Sequence, residues 1–359
     1  MAETEYRNRR AFQIETASLR VTVTAEGGHI AEVLHKATEV NPLWTPPWPS
    51  IEPSTYNRVK HPEYGDDAES KLLAGIIGHN LCMDIFGGPS PEEAAAGLTV
   101  HGEASVVPYE ISADSSEMNC RAELPLAQLR IERKIRLSPG SGVVRIVETV
   151  ENLSVFDRPI AWTEHATLGP PFLEKGLTEF RASATRSKVD EEDSTGGKGY
   201  MKTGAEFNWP HVPRNNGGTS DLRVYTSAAV SGGFTTHLMD PARTQAYFAA
   251  WSPSTKVLFG YVWSRADFPW LGIWEENYSR EQPPWNGKTL TRGMEFGVSP
   301  IPEPRRLMIE RNTLFGERCY RWIPSLSKAR VEYCAFIGTA DAIPENVSWD
   351  GGWNVSYNA

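Results

Sequence analysis

The four cysteines of this 359-residue chain, Cys82, Cys120, Cys319 and Cys334, lie far apart, with no CxxC pair and no Cys/His spacing of the kind a structural zinc site needs. A disulfide scaffold and a zinc module are therefore excluded, and reduced, mostly buried thiols are expected. Long apolar runs are also missing. None reaches membrane-spanning length, and the opening MAETEYRNRRAFQIETASLRVTV alternates polar and apolar residues without an apolar signal core. The expected location is the cytoplasm, with no membrane partner. Positive charge is in deficit: 36 Lys and Arg against 45 Asp and Glu leave a net charge of −9, the wrong sign for gripping nucleic acid or an anionic membrane. A nucleophile elbow, a P-loop, a dinucleotide fingerprint and a zinc-protease helix are all absent. These absences leave a small-molecule ligand as the expected partner.

Helical patterning is scarce as well. AESKLLAGI near 68–76 and PEEAAAG near 91–97 predict two short helices, the second with proline in its first turn. Strand patterning is abundant. Leu19, Val21 and Val23 alternate with Arg20, Thr22 and Thr24, and Leu129, Ile131, Ile135 and Leu137 alternate with Arg130, Glu132, Lys134 and Arg136, the period of two of half-buried strands. Pro139-Gly140-Ser141-Gly142 then turns the chain into VVRIVETVEN, which predicts a hairpin. Further β-like runs occur at 104–112, 222–230, 234–239, 245–251 and 256–264. Many short strands and almost no helix predict an all-β fold, a large antiparallel β-sandwich, with residues 1–359 as one domain. Two stretches, 41–70 (Pro-rich) and 186–218 (charged and Gly-rich), read as excursions from it.

Tryptophan is over-supplied, with 12 residues. An indole face packs well against the C–H face of a pyranose while its N–H still finds a partner. Filling a large core is the more common use of a tryptophan. The better candidates for a sugar platform sit in loop-like or Pro-rich settings: Trp44 and Trp48 in NPLWTPPWPS, and Trp270 and Trp274 in FPWLGIWEEN.

Acid/base chemistry is suggested by His101 in LTVHGEAS, His165 in WTEHATLGPPF and Glu295 in TRGMEFGVSP. An imidazole titrates near neutral pH and a carboxylate is already ionised, so the two, held on opposite sides of a substrate, can give one proton and take another. His165 stands where a strand pattern ends at Gly-Pro-Pro. Glu295 lies between Met294 and Phe296, and a carboxylate among apolar neighbours accepts a proton better than an exposed one. Glu275 and Glu276 in GIWEEN compete with it; by alternation only one of them faces inward, and paired carboxylates also raise a glycosidase reading.

GIIGHN at 75–80, HG at 101–102, EH at 164–165 and GMEFG at 293–297, in that order and spacing, resemble the aldose 1-epimerase (galactose mutarotase)-like family, over roughly Gly27 to Glu303. The resemblance implies a galactose mutarotase-like supersandwich that interconverts the α and β anomers of an aldose or sugar derivative, without metal or cofactor. It implies His165 as the acid that protonates the ring oxygen, Glu295 as the base on the anomeric hydroxyl, and His101 as a contact to the sugar. The family's Arg-Asn pattern is missing around GIIGHN, which leaves His79 or Asn80 to take that contact, or a different sugar to be bound. The expected assembly is a monomer or homodimer. Two rival readings are a carbohydrate-binding protein of the same fold without turnover and a glycoside hydrolase or lyase on a related sandwich.

Overall fold

The computed structural model describes residues 2–193 and 195–358. Two large sheets of antiparallel strands make up most of it. The larger has eleven strands. A meander of four, Ala2–Tyr6, Arg9–Glu15, Leu19–Thr24 and Ile30–His35, leads into His79–Cys82, Thr163–Leu168, Leu290–Gly297, Trp270–Asn277, Ser231–Met239, Ala184–Val189 and Glu206–Asn208, in that spatial order. The smaller has eight, with Leu129–Leu137 and Val143–Asn152 beside Lys328–Thr339 at its centre.

The hairpin expected at 129–152 is present, with Leu129 opposite Asn152 and Leu137 opposite Val144. Its alternation has the predicted consequence: Leu129, Ile131, Ile135 and Leu137 are buried, and the residues between them are mostly half-buried or exposed. These side chains meet Val21, Leu81, Ala166, Met294 and Phe296 of the larger sheet in one continuous core between the two sheets. Sandwich packing follows because each sheet has one apolar face and must cover it.

The two helices expected from the sequence occur as Ser70–Gly75 and Pro91–Ala95, the latter with a capping box between Ser90 and Glu93. A third, Arg305–Arg311, was not foreseen. Two β-like runs fail. Residues 104–109 form turns, with a strand only over Glu110–Ala113, and 222–230 carries no strand. In both places the chain crosses between elements, and its backbone is held by single long-range bonds such as Gly27 N to Val107 O and Phe180 N to Arg223 O. Of the two excursions, 41–70 holds two short 3-10 turns, and 186–218 contributes the edge strand Glu206–Asn208 to the larger sheet and forms a small core in which Val189, Met201 and Val212 meet Leu222.

Candidate active site

Side chains on a strand alternate between faces, and residues directly opposite in antiparallel neighbours share a face. His165 is opposite Asn80 on one side and Glu295 on the other, and Glu295 is opposite Gly272. One row of the larger sheet therefore carries Asn80, His165 and Glu295 on the face turned away from the core. Two residues along the strands, Thr167, Gly293, Trp274 and Phe234 form the next row on that face.

His165 and Glu295 form the floor of a cavity of about 470 Å³. His165 Nε2 is 3.0 Å from Glu295 Oε1, close enough for an ion pair. The ring N–H does not point along that line, so Glu295 Oε1 is a buried carboxylate oxygen without a hydrogen-bond partner. On its other edge, His165 Nδ1 is 2.9 Å from Thr167 Oγ1, which fixes the ring's orientation. Glycine makes room for the carboxylate. A Cβ on Gly293 would stand 2.3 Å from Glu295 Oε1, and one on Gly272 would strike the Phe234 ring at 2.8 Å and press on Glu295 Cβ at 3.4 Å. The pair is adjacent on one face, not on opposite sides of a substrate as the residue types alone suggested.

His101 enters from a loop. Its own φ is 65° and that of Gly102 is 76°, and a Cβ on Gly102 would lie 2.1 Å from Met83 O, so this turn needs glycine. The His101 N–H reaches Gly87 O and its carbonyl accepts from Met83 N, which pins the backbone. The ring sits 5.0 Å from that of His165, edge to face. Its Nδ1 donates to Phe86 O at 2.5 Å, so Nε2 carries a lone pair. Enclosure by protein, followed by the proximity of His165, pushes this imidazole down to about 3, although part of its surface still opens onto the cavity. His101 is thus a neutral acceptor, suited to a hydroxyl rather than to polarising an oxygen.

Apart from Trp274, the walls are built from residues that were not named as site candidates. Trp285, from the PPWNG turn, and Trp274 meet edge to face with ring centres 5.9 Å apart, and Arg280 lies over both rings at 4.7 and 5.4 Å. Glu276 holds the turn that presents Arg280, accepting from Ser279 N, Ser279 Oγ and Arg280 N. Opposite stand Ile301, Pro302, Glu303 and Pro304 with Leu307 and Arg311 of the third helix, and the rim includes Asp190, Glu191 and Glu192. Burial pushes the Asp190 and Glu303 carboxyls upward. Trp285, as an aromatic in a Pro-rich turn, carried the same signal as Trp44 and Trp48; the helix carried none.

Several expected contacts lie elsewhere. His79 is on the core face, fully buried, with Nδ1 2.9 Å from Tyr261 Oη and Nε2 2.9 Å from Glu164 Oε2. Asn80 shares the site face, but its amide donates to Ser105 Oγ and it does not line the cavity. Glu275 faces the core, where its carboxylate meets Arg292 at 3.0 Å and Ser231 Oγ at 2.9 Å. Glu275 and Glu276, neighbours on one strand, point to opposite faces and are each bonded locally, so they do not flank a common bond as a glycosidase pair must. Trp270 is buried and donates to Arg318 O. Trp44 and Trp48 pack behind the cavity wall, against Trp285 at 6.2 and 5.0 Å, and Trp48 donates to Leu73 O. Proline-rich chain there serves as backing, because the indoles find apolar partners in Leu72, Leu73 and Ile76. Only Trp274 of the four named tryptophans reaches the cavity. Among the described residues, no cluster of three or more His, Cys, Asp or Glu is placed to hold a metal ion.

A groove of about 620 Å³ also lies along the smaller sheet, but most of its charged side chains are paired with one another or with neighbours, as in Arg136 with Glu117 at 2.5 Å and Arg121 with Glu132 at 3.8 Å. It offers no acid/base pair. Among the described residues, no helix is long and apolar enough to cross a membrane.

No protein-family model matches the chain, and no curated protein matches it in sequence. Solved structures do. A Klebsiella pneumoniae protein provisionally named an aldose 1-epimerase aligns over 93% of this chain and 80% of its own, with TM-score 0.67 and 14% identity. A galactose mutarotase-like protein from Clostridium acetobutylicum aligns over 94% and 98%, with TM-score 0.62 and 13% identity. A galactose mutarotase related enzyme from Lactobacillus acidophilus aligns over 92% and 97%, with TM-score 0.60 and 11% identity. The chain therefore has the galactose mutarotase-like fold, with its large antiparallel sheets and few helices.

Proposed function

We propose that this protein is a mutarotase that interconverts the α and β anomers of a reducing sugar. One observation carries the reading: Glu295 Oε1, buried and without a hydrogen-bond partner, beside His165 Nε2 on the floor of an aromatic-walled cavity. Opening a pyranose requires a proton to leave the anomeric hydroxyl and another to reach the ring oxygen. Both oxygens are bonded to the same carbon, so acid and base must be neighbours, as these two are. The pocket's size and its mix of apolar walls with a few convergent polar groups suit a small ligand.

In the forward direction the Glu295 carboxylate takes the anomeric proton. The His165 imidazolium gives its Nε2 proton to the ring oxygen as the C1–O5 bond breaks, leaving the open-chain aldehyde. Rotation about C1–C2 presents the other carbonyl face, and closure returns both protons. Thr167 holds the His165 ring through Nδ1. The lone pair on His101 Nε2 accepts from a sugar hydroxyl, and Trp274 and Trp285 offer ring faces to the sugar's C–H surface.

Polarimetry or saturation-transfer NMR on freshly dissolved anomers tests this directly. The wild type is expected to accelerate exchange with a bell-shaped pH profile, since one group must start protonated and the other ionised. Sugar binding without acceleration would leave a binding protein of this fold as the better description.

A further inference from the structure

The charges around the cavity bear on which sugars it admits. Six carboxylates line it, Glu69, Asp190, Glu191, Glu192, Glu295 and Glu303, against two arginines, Arg280 and Arg311, and the His165 imidazolium of the mechanism, which Glu295 matches. Both arginines already have carboxylate partners. Arg311 meets Glu303 Oε1 at 2.9 Å through Nε and Glu191 Oε2 at 2.9 Å through Nη2. Arg280 meets Glu69 Oε1 at 3.3 Å and Glu276 Oε2 at 3.7 Å, with its guanidinium carbon 4.7 and 5.4 Å from the Trp285 and Trp274 ring centres. His101 donates its one ring proton to Phe86 O, so it adds no positive charge. A phosphate or carboxylate on the ligand needs a guanidinium or ammonium with free donors. Here it would have to draw Arg280 or Arg311 away from its carboxylates while facing the further negative charge of Asp190 and Glu192 at a half-open rim, a repulsion that salt screens. The unpartnered Glu295 Oε1 marks this cavity as a place for a donor, not for another anion.

We infer that the cavity takes reducing sugars that are uncharged or carry an amino group, and rejects phosphorylated and uronic sugars. This rests on the mutarotase reading of the same site and narrows its substrate class.

The test compares D-glucose, D-glucosamine, D-glucose 6-phosphate and D-glucuronate on the full chain, by calorimetric binding and by saturation-transfer NMR of anomer exchange. Glucosamine is expected to bind at least as tightly as glucose, and the two anions at least tenfold more weakly. That gap should narrow severalfold in the Asp190→Asn/Glu192→Gln double variant, whose positions are half-buried and exposed, and also on raising the salt concentration. Glucose 6-phosphate bound or turned over as well as glucose overturns the charge rule and leaves the mutarotase reading standing. The expected binding order without any acceleration of exchange does the reverse. Weaker binding of glucosamine than of glucose removes the amino sugars from the inference, and failure of every sugar to bind overturns it entirely.

Discussion

Two histidine–glutamate contacts of nearly equal length sit on opposite faces of the larger sheet and share the strand Thr163–Leu168. On the core face, His79 Nε2 meets Glu164 Oε2 at 2.9 Å; on the site face, His165 Nε2 meets Glu295 Oε1 at 3.0 Å. Their surroundings differ. Glu164 also accepts from Trp162 Nε1, Tyr333 Oη and Arg133 Nη2, and His79 spends its other nitrogen on Tyr261. Arg133 in turn ties in Glu148 and Gly28 O. Burial pushes Glu148 up to about 7, against the pull of Arg133, and burial holds His79 well below the ordinary histidine range. A buried polar network of this kind, with each member bonded, specifies packing. The site pair leaves one oxygen unbonded and opens onto a cavity. A satisfied pair belongs to the architecture, whereas an unsatisfied one beside a void is available to a ligand.

Removing a partner from the core network should have the largest effect. Arg133→Met leaves Glu148 and Glu164 buried without their cation and is expected to cost about 3–5 kcal/mol of stability, read by urea unfolding; a loss under about 1 kcal/mol would dissolve the contrast. Next comes Glu295→Gln, which keeps the side chain's shape. Anomer exchange of the true substrate should fall about a hundredfold or more while the melting temperature hardly moves, and full activity in this variant would remove Glu295 as the base. His165→Ala should lose activity on a similar scale.

A smaller effect is expected at the wall. Trp274→Ala takes away one ring face and should weaken sugar binding roughly fivefold, in line with about 1 kcal/mol for an aromatic contact, measured by titration calorimetry; unchanged affinity would place the sugar against Trp285 alone. The last concerns acid. His237 is fully buried between Ser187 and Thr235, and burial pushes it down to about 3 from 6.5. Below pH about 6.5 the unfolded chain binds a proton there that the folded chain refuses until about 3, so unfolding takes up protons and stability falls as pH drops through that window. His237→Gln should flatten part of this acid limb in urea titrations between pH 7 and 4. An unchanged slope would show that other groups set it.

Strand alternation was legible where one face meets water. The 129–152 hairpin is plain because Arg130, Glu132, Lys134 and Arg136 mark its outer face. The site strands hide it: Thr163–Leu168 and Leu290–Gly297 are buried along their whole length, so periodicity alone cannot say which of Glu164 and His165 faces the cavity. His101, His165 and Glu295 could be named because their residue types and order suit proton transfer. His79 and Glu275 have equally suggestive types but sit on the core face, Trp44 and Trp48 pack behind the wall, and Trp270, on the site face, is buried against Arg318 O away from the cavity.

The sequence by itself therefore determined the class of fold, through period-two patterning and turn residues that act over a few positions, and it held the proposed acid/base residues in its motifs. Tertiary structure alone decided which histidine–glutamate contact would be sealed and which left open. That choice depends on register across strands distant in sequence, on glycines at 272 and 293 that clear space beside Glu295, and on Trp285, Arg280 and the helix Arg305–Arg311 arriving from separate loops to enclose one volume. Such proximity is a property of the packed chain, because no local interaction brings those segments together.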